Sequence, residues 1–185
     1  MNKKQNAEEE IVLYKQRFGK LGYEYRSSDW DEERKLKALE KLGVLEIDKT
    51  SVLDFGCGTA TYTPYLRKSF KNVIGLDVTF TNVKIAKYLD ETCGYICGDG
   101  LSLPFKDSSF DAVLCGQVLH HFPDIIYPVL EINRVLKEGG FLFIIEPNDW
   151  NPYTSFRHRF PKKKYGYSHN EHSLGYIYIY IYIVN

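Results

Sequence analysis

Asp54, Gly56 and Gly58 stand close together in VLDFGCGTATYTPYL, residues 52–66. Two glycines just before a predicted helix bare the backbone, so a ligand can approach main-chain N–H groups. A dinucleotide-binding turn would place a third glycine at position 61, where Thr61 stands. It would also bring a pyrophosphate beside Asp54. A carboxylate within ~4 Å of a phosphate is repelled by roughly 1–4 kcal/mol at effective dielectrics of 80 to 20. A positively charged ligand without phosphate reverses that sign.

Two further acids stand at comparable places. NVIGLD ends in Asp77, about twenty residues past the glycines, where a carboxylate can accept from both ribose hydroxyls. GYICGDG brings Asp99 to a third strand end, with the N–H of Gly100 beside it, and both could face an adenine ring. A single aspartate of this kind is usually a turn or cap residue. Acids at three successive strand ends point to an adenosine ligand. S-adenosylmethionine, with its ammonium and sulfonium and no phosphate, suits the set. Candidates for a general base are His120 and His121 in VLHHF and Glu146 in IIEPN. The histidines also read as a helix-start element, and Glu146 also reads as a loop tie.

Helices and strands alternate around these residues. Helices are expected over 8–18, after SSDW with Asp29 and Glu32 as a capping box and Gly43 as the stop, over TATYTPYLRKSF, over TNVKIAKYLDE capped by Thr79 or Thr81, and over PDIIYPVLEINRVLKEGG to its glycines. SVLDF, NVIGLD, YICGD, DAVLCG and FLFIIE read as strands. Nearly all-apolar strands between helices indicate an α/β fold, a Rossmann-like doubly wound, mostly parallel sheet covered on both faces. Ligands then sit at the carboxyl ends of the strands.

Composition narrows the classes. The 185 residues are 44% hydrophobic and 26% charged, so one ordinary domain with a real core is expected. Lys plus Arg equal Asp plus Glu at 24 each, against the basic excess of a nucleic-acid surface. MNKKQNAEEE has no apolar run of a signal peptide, and no stretch is apolar enough to span a bilayer; a cytoplasmic location is expected. Cys57, Cys93, Cys97 and Cys115 include no Cys-x-x-Cys pair and read as reduced core residues. RHRFPKKKY, residues 157–165, is basic and reads as a solvated loop, and His169 with His172 lacks a third metal ligand, so no metal is expected.

VLDFGCGTA, VIGLDVT, YICGDGLSLPFKDSSFDAVLCGQVLHHF and RVLKEGGFLFIIEPN together resemble the class I S-adenosylmethionine-dependent methyltransferases. The likeness covers residues 50–150 and is greatest to the small-molecule group that includes ubiquinone and menaquinone biosynthesis enzymes. It implies Asp54, Gly56 and Gly58 around the methionine part of the cofactor, Asp77 on the ribose, Asp99 at the adenine and Gln117 lining the pocket. Cys57, Val78 and Gly100 join that cofactor set. Ala60 stands where many members carry a third glycine. CGQVLHH lacks the Asn-Pro-Pro-aromatic motif of amino-group methylation. The implied function is methyl transfer to a small-molecule acceptor, with no nucleic-acid partner. The alternative is an inactive, shortened methyltransferase-like chain that still binds the cofactor.

The family sheet has seven strands, whereas five are read here. The last strands are expected to be missing or replaced by the Ile-Tyr repeat YIYIYIYIVN. Such alternation is what an alternating AT tract encodes, and this reading is preferred to a genuine strand along the edge of FLFII. The expected organisation is one methyltransferase domain over 1–168, with a helical cap over 1–46 and a cofactor core over 47–150, followed by a low-complexity tail over 169–185.

Overall fold

The computed structural model describes residues 29–47, 49–146 and 178–183. The expected helix over 8–18, the basic stretch 157–165, His169 and His172 lie outside them. Helix α1 (Asp29–Lys41) leads through Gly43, at φ 67, into a 3-10 turn at Val44–Glu46. Then follow β1 (Lys49–Phe55), α2 (Thr63–Leu66), β2 (Phe70–Asp77), α3 (Phe80–Leu89), β3 (Gly94–Cys97), β4 (Phe110–Gly116), α4 (Ile126–Val135), β5 (Leu136–Ile145) and β6 (Tyr178–Ile183).

The sheet order is β3-β2-β1-β4-β5-β6. The first five strands are mutually parallel, and β6 runs antiparallel to β5. Strand order therefore reverses between β1 and β4, which opens a crevice beyond their carboxyl ends. Side chains alternate across the sheet with period two. Leu53, Phe55, Val113 and Cys115 join Ile132 of α4 in one core cluster. Val52, Ala112 and Leu114 join Leu39 of α1 and Leu42 just after it in another. Both faces are thus covered, as near-continuous apolar strands require.

Three expected helices differ in extent. TATYTPYLRKSF forms only one turn, Thr63–Leu66. Ala60 adopts φ 71, and the N–H groups of Ala60 and Thr61 fold back onto the Cys57 carbonyl at 3.1 and 3.0 Å, so a tight turn takes the residues before Pro64. Phe70 is drawn into β2 and the core. The helix of PDIIYPVLEINRVLKEGG stops at Val135, because Leu136 turns extended and pairs with Phe110 of β4. Gly139, at φ 67, then lies within β5. Helix α3 begins at Phe80 after Thr79, whose hydroxyl makes no cap bond; its N–H instead donates to Asp77 Oδ1 at 2.8 Å.

The Ile-Tyr repeat also departs from the preferred reading. Residues 178–183 form β6, with Phe141 opposite Ile183 and Phe143 opposite Ile181. Alternation of two residues with high strand preference matches the pleat, and β5 offers an edge of backbone donors and acceptors.

At the opposite end of the sheet, Asp111 ties β1, β4 and β5 together. Its Oδ2 accepts the N–H of Ser51 at 2.9 Å and the Ser51 hydroxyl at 2.8 Å, and Lys137 Nζ donates to Oδ1 at 3.0 Å. Burial pushes its carboxyl up, but the bonds from Lys137 and Ser51 outweigh that and hold it at about 2. A carboxylate with a depressed folded pKa stabilises above its unfolded value, and that stability is lost as pH falls towards the folded one. Asp111→Ala should cost about 1–3 kcal/mol in urea unfolding at neutral pH, since it strands part-buried donors. The difference from the unsubstituted chain should shrink as pH falls from about 4 towards about 2; an equal cost at both ends contradicts this.

Candidate functional site

The carboxyl ends of β1, β2 and β4 surround a cleft of about 490 Å³. Its floor is the turn after β1. Gly56 takes φ 75 and Gly58 takes φ 56, and the N–H groups of Gly56 and Cys57 both donate to the Leu76 carbonyl at 2.8 and 2.9 Å. The Gly58 N–H donates to Asp77 Oδ2 at 3.0 Å. Asp77 Oδ1 also accepts from Asn82 Nδ2 at 3.2 Å, besides Thr79. One carboxylate at the end of β2 therefore fixes the turn after β1 and the start of α3.

Close approach explains three of the glycines. A Cβ on Gly56 would lie 2.2 Å from Val118 Cγ2, one on Gly100 2.6 Å from Phe55 Cζ, and one on Gly116 2.5 Å from Tyr62 Cε2. The Phe55 and Phe122 rings stack across this region with centroids 5.9 Å apart.

Asp54 is the unusual group. It is buried to 1% exposure, and only one of its oxygens is satisfied: Thr63 Oγ1 donates to Oδ2 at 2.6 Å. Oδ1 is buried without a hydrogen-bond partner. Burial raises its carboxyl, the Thr63 bond opposes this, and the neighbouring Asp77 charge adds to it, giving about 7. A buried acceptor left open is costly and calls for a partner that the described residues do not supply.

Sequence expectations meet this geometry unevenly. Gly56, Gly58, Asp77, Val78, Gly100 and Gln117 line the cleft. Gln117 does so with φ 57, its N–H bonded to the Ile145 carbonyl of β5 at 2.6 Å. Asp54 lies beneath the cleft, and Cys57 packs under the turn against the Gly75 backbone. Burial pushes the Cys57 thiol far up, so it stays protonated and unreactive. Asp99 is exposed outside the lining, with Oδ1 accepting the Leu101 N–H at 2.9 Å. Tyr62, Asn82 and Phe122 line the cleft and were not singled out from sequence. Tyr62 looked like helix interior; Phe122, directly after the two histidines, carried the clearer signal.

The three base candidates converge. Glu146, buried at the end of β5, accepts the N–H groups of Val118 and Leu119 on Oε1 at 2.9 and 2.7 Å. Its Oε2 takes the Nδ1–H of His120 at 2.6 Å. The His120 and His121 rings pack with centroids 4.1 Å apart, and His121 lines the cleft. Glu146 thus does tie down a loop, the turn after β4.

Among the described residues lining the cleft there is neither Lys nor Arg. Helix α2 is a single turn and contributes little dipole. A pyrophosphate would find no Lys or Arg among the described lining residues, whereas an ammonium or sulfonium would meet Asp77 in the wall, with the acid Asp54 buried beneath it. The arrangement fits a cationic adenosine ligand better than a dinucleotide. No cluster of metal-ligating side chains occurs among the described residues, and no described helix is long and apolar enough to cross a membrane.

Known proteins share this architecture. A methyltransferase domain family model matches residues 53–144. A demethylmenaquinone methyltransferase of Staphylococcus haemolyticus is 37% identical over 103 residues, which are 52% of this chain and 43% of that protein. This chain spans about half the length of the curated relatives it matches. A solved protein of Pyrococcus horikoshii superposes with a TM-score of 0.64 at 23% identity, over 79% of this chain and 66% of its own. The cyclase SpnF does so with a TM-score of 0.55 at 28% identity, over 63% and 45%.

Gly116→Ala should destabilise the chain by about 1–3 kcal/mol, because its methyl overlaps the Tyr62 ring. Gly94→Ala, where a Cβ meets nothing nearer than 3.5 Å, makes the control. Equal thermal midpoints for the two variants would contradict the close approach.

Proposed function

We propose, for a chain that belongs to the class I S-adenosylmethionine-dependent methyltransferases, that the cleft holds this cofactor and presents its methyl group to a small-molecule acceptor. The observation that carries the reading is the buried acid Asp54, with one oxygen unpartnered among the described residues, beneath a cleft whose described lining holds no Lys or Arg. When bound, the cofactor supplies an activated methyl carbon whose sulfonium needs no protonation to leave.

The chain's own residues then bind and align. Gly56 and Gly58 let the ligand lie against the backbone. Asp54 offers its open oxygen towards the ammonium end. Asp77 receives the ribose, and Val78 and Gly100 flank the base, with Asp99 at its edge. Gln117 and Val118 close the side of the cleft nearest β5. Positioning of this kind can contribute roughly 7–11 kcal/mol to a bimolecular transfer.

The curated relatives act on demethylmenaquinone by name, which favours a small aromatic acceptor of quinol type over nucleic acid. Four free cysteines suit a reducing compartment such as the cytoplasm. A second reading, cofactor binding without methyl transfer, draws on the likeness to a cyclase on the same fold.

Calorimetric titration of the folded chain with S-adenosylhomocysteine tests the first step. Saturable binding is expected, with at least a tenfold loss in Asp77→Ala, about 1.4 kcal/mol or more. Part of that loss arises through the Gly58 turn, so Asp77→Asn, which keeps an acceptor, should lose less. Transfer of labelled methyl from S-adenosylmethionine to a quinol panel separates the enzyme from the binding module. Binding of NAD with none of S-adenosylhomocysteine overturns both readings.

A further inference from the structure

The described lining of the cleft contains few groups able to take a proton. Of the described lining residues only Tyr62, Asp77 and His121 carry a titratable side chain. Asp77 already accepts three N–H bonds, from Gly58, Thr79 and Asn82, at the β2 side. Tyr62 is buried against Gly116. His121 is exposed on the β4 side, in the same turn as Gln117 and Val118.

What lies behind His121 is built rather than accidental. The Glu146 side chain is 0% exposed and all its bonds go to one turn: two backbone N–H groups on one oxygen and His120 Nδ1–H on the other. The carboxylate is a pure acceptor, so it fixes His120 in the Nδ1–H form. The His120 ring, 12% exposed, packs at 4.1 Å and 43° against the His121 ring. The chain from Glu146 through His120 therefore sets where His121 stands.

We infer that His121 is the proton acceptor of the site, that His120 and Glu146 are its positioning pair, and that the small-molecule substrate carries a weakly acidic O–H or C–H group. The inference rests on the methyltransferase reading of the cleft. In the step, the substrate's X–H bond breaks, the proton passes to the unprotonated ring nitrogen of neutral His121, and the electron pair stays on X as the nucleophile. An acceptor such as a thioether, with no proton to lose, would have no use for this arrangement.

The test is optical and needs no turnover. 4-Nitrocatechol, whose ionised form absorbs differently from its neutral form, is added to the S-adenosylhomocysteine complex below the ionisation range of the free probe. The ionised fraction is read per probe bound. The unsubstituted chain should raise that fraction, His121→Gln should lose the rise, and Glu146→Gln should diminish it while Glu146→Asp restores part of it. S-adenosylhomocysteine titration of each variant shows that the cofactor side is still folded. A probe ionised equally by His121→Gln, or not ionised by the unsubstituted complex, overturns the inference and leaves the cofactor reading standing. A folded chain that binds no S-adenosylhomocysteine removes both.

Discussion

A carboxylate with one satisfied oxygen, sealed at the end of a central strand, is the constraint around which this site is arranged. Asp54 is there because residue 54 belongs to β1, and the period of the strand turns it to the face that carries Val52 and α1. Thr63 satisfies one oxygen, and burial then lifts the acid to about 7. Its described neighbours do not relieve it: Asp77 adds a second negative group, and no Lys or Arg is among the described residues lining the cleft. A strand end that keeps such a group gives up stability there, and the natural compensation is a cationic ligand.

The rest of the fold transmits that choice outwards. Parallel pairing of β1 with β2 brings Asp77 level with the glycine turn, where its carboxylate holds the Gly58 N–H. Pairing of β4 with β5 brings Glu146 level with the turn after β4. Val118 in that turn packs over Gly56. The β4-side wall of the cleft and its glycine floor are therefore joined, pinned by two acids at two strand ends. His121 stands on that wall, next to the cleft rather than beneath it.

Much of this could be read from the residues. The strands announced themselves as short apolar runs, and Asp54, Asp77 and the glycines as breaks at their ends. Helix extents were less legible. The stretch after Gly58 has helical spacing, but backbone at Ala60 turns left-handed before Pro64 and Phe70 already belongs to β2, which leaves room for a single helical turn. The helix before β5 was expected to run to its glycines, yet Leu136 is captured by β4, a long-range pairing that local pattern does not contain. The role of Glu146 was open for the same reason, since its partners are 26 to 28 residues away. The Ile-Tyr tail showed the converse: a repeat that looks meaningless as sequence still satisfies a strand edge.

The most direct measurement is the proton balance of cofactor binding. S-adenosylhomocysteine, which keeps the ammonium, is titrated in two buffers of different ionisation enthalpy at several pH values around 7. If Asp54 is the open acid that the ligand completes, binding releases up to one proton below about pH 7, and affinity falls by up to about tenfold per pH unit as the medium becomes more acid. Asp54→Asn should abolish that release. Binding with no proton release, or the same release from Asp54→Asn, would contradict the account.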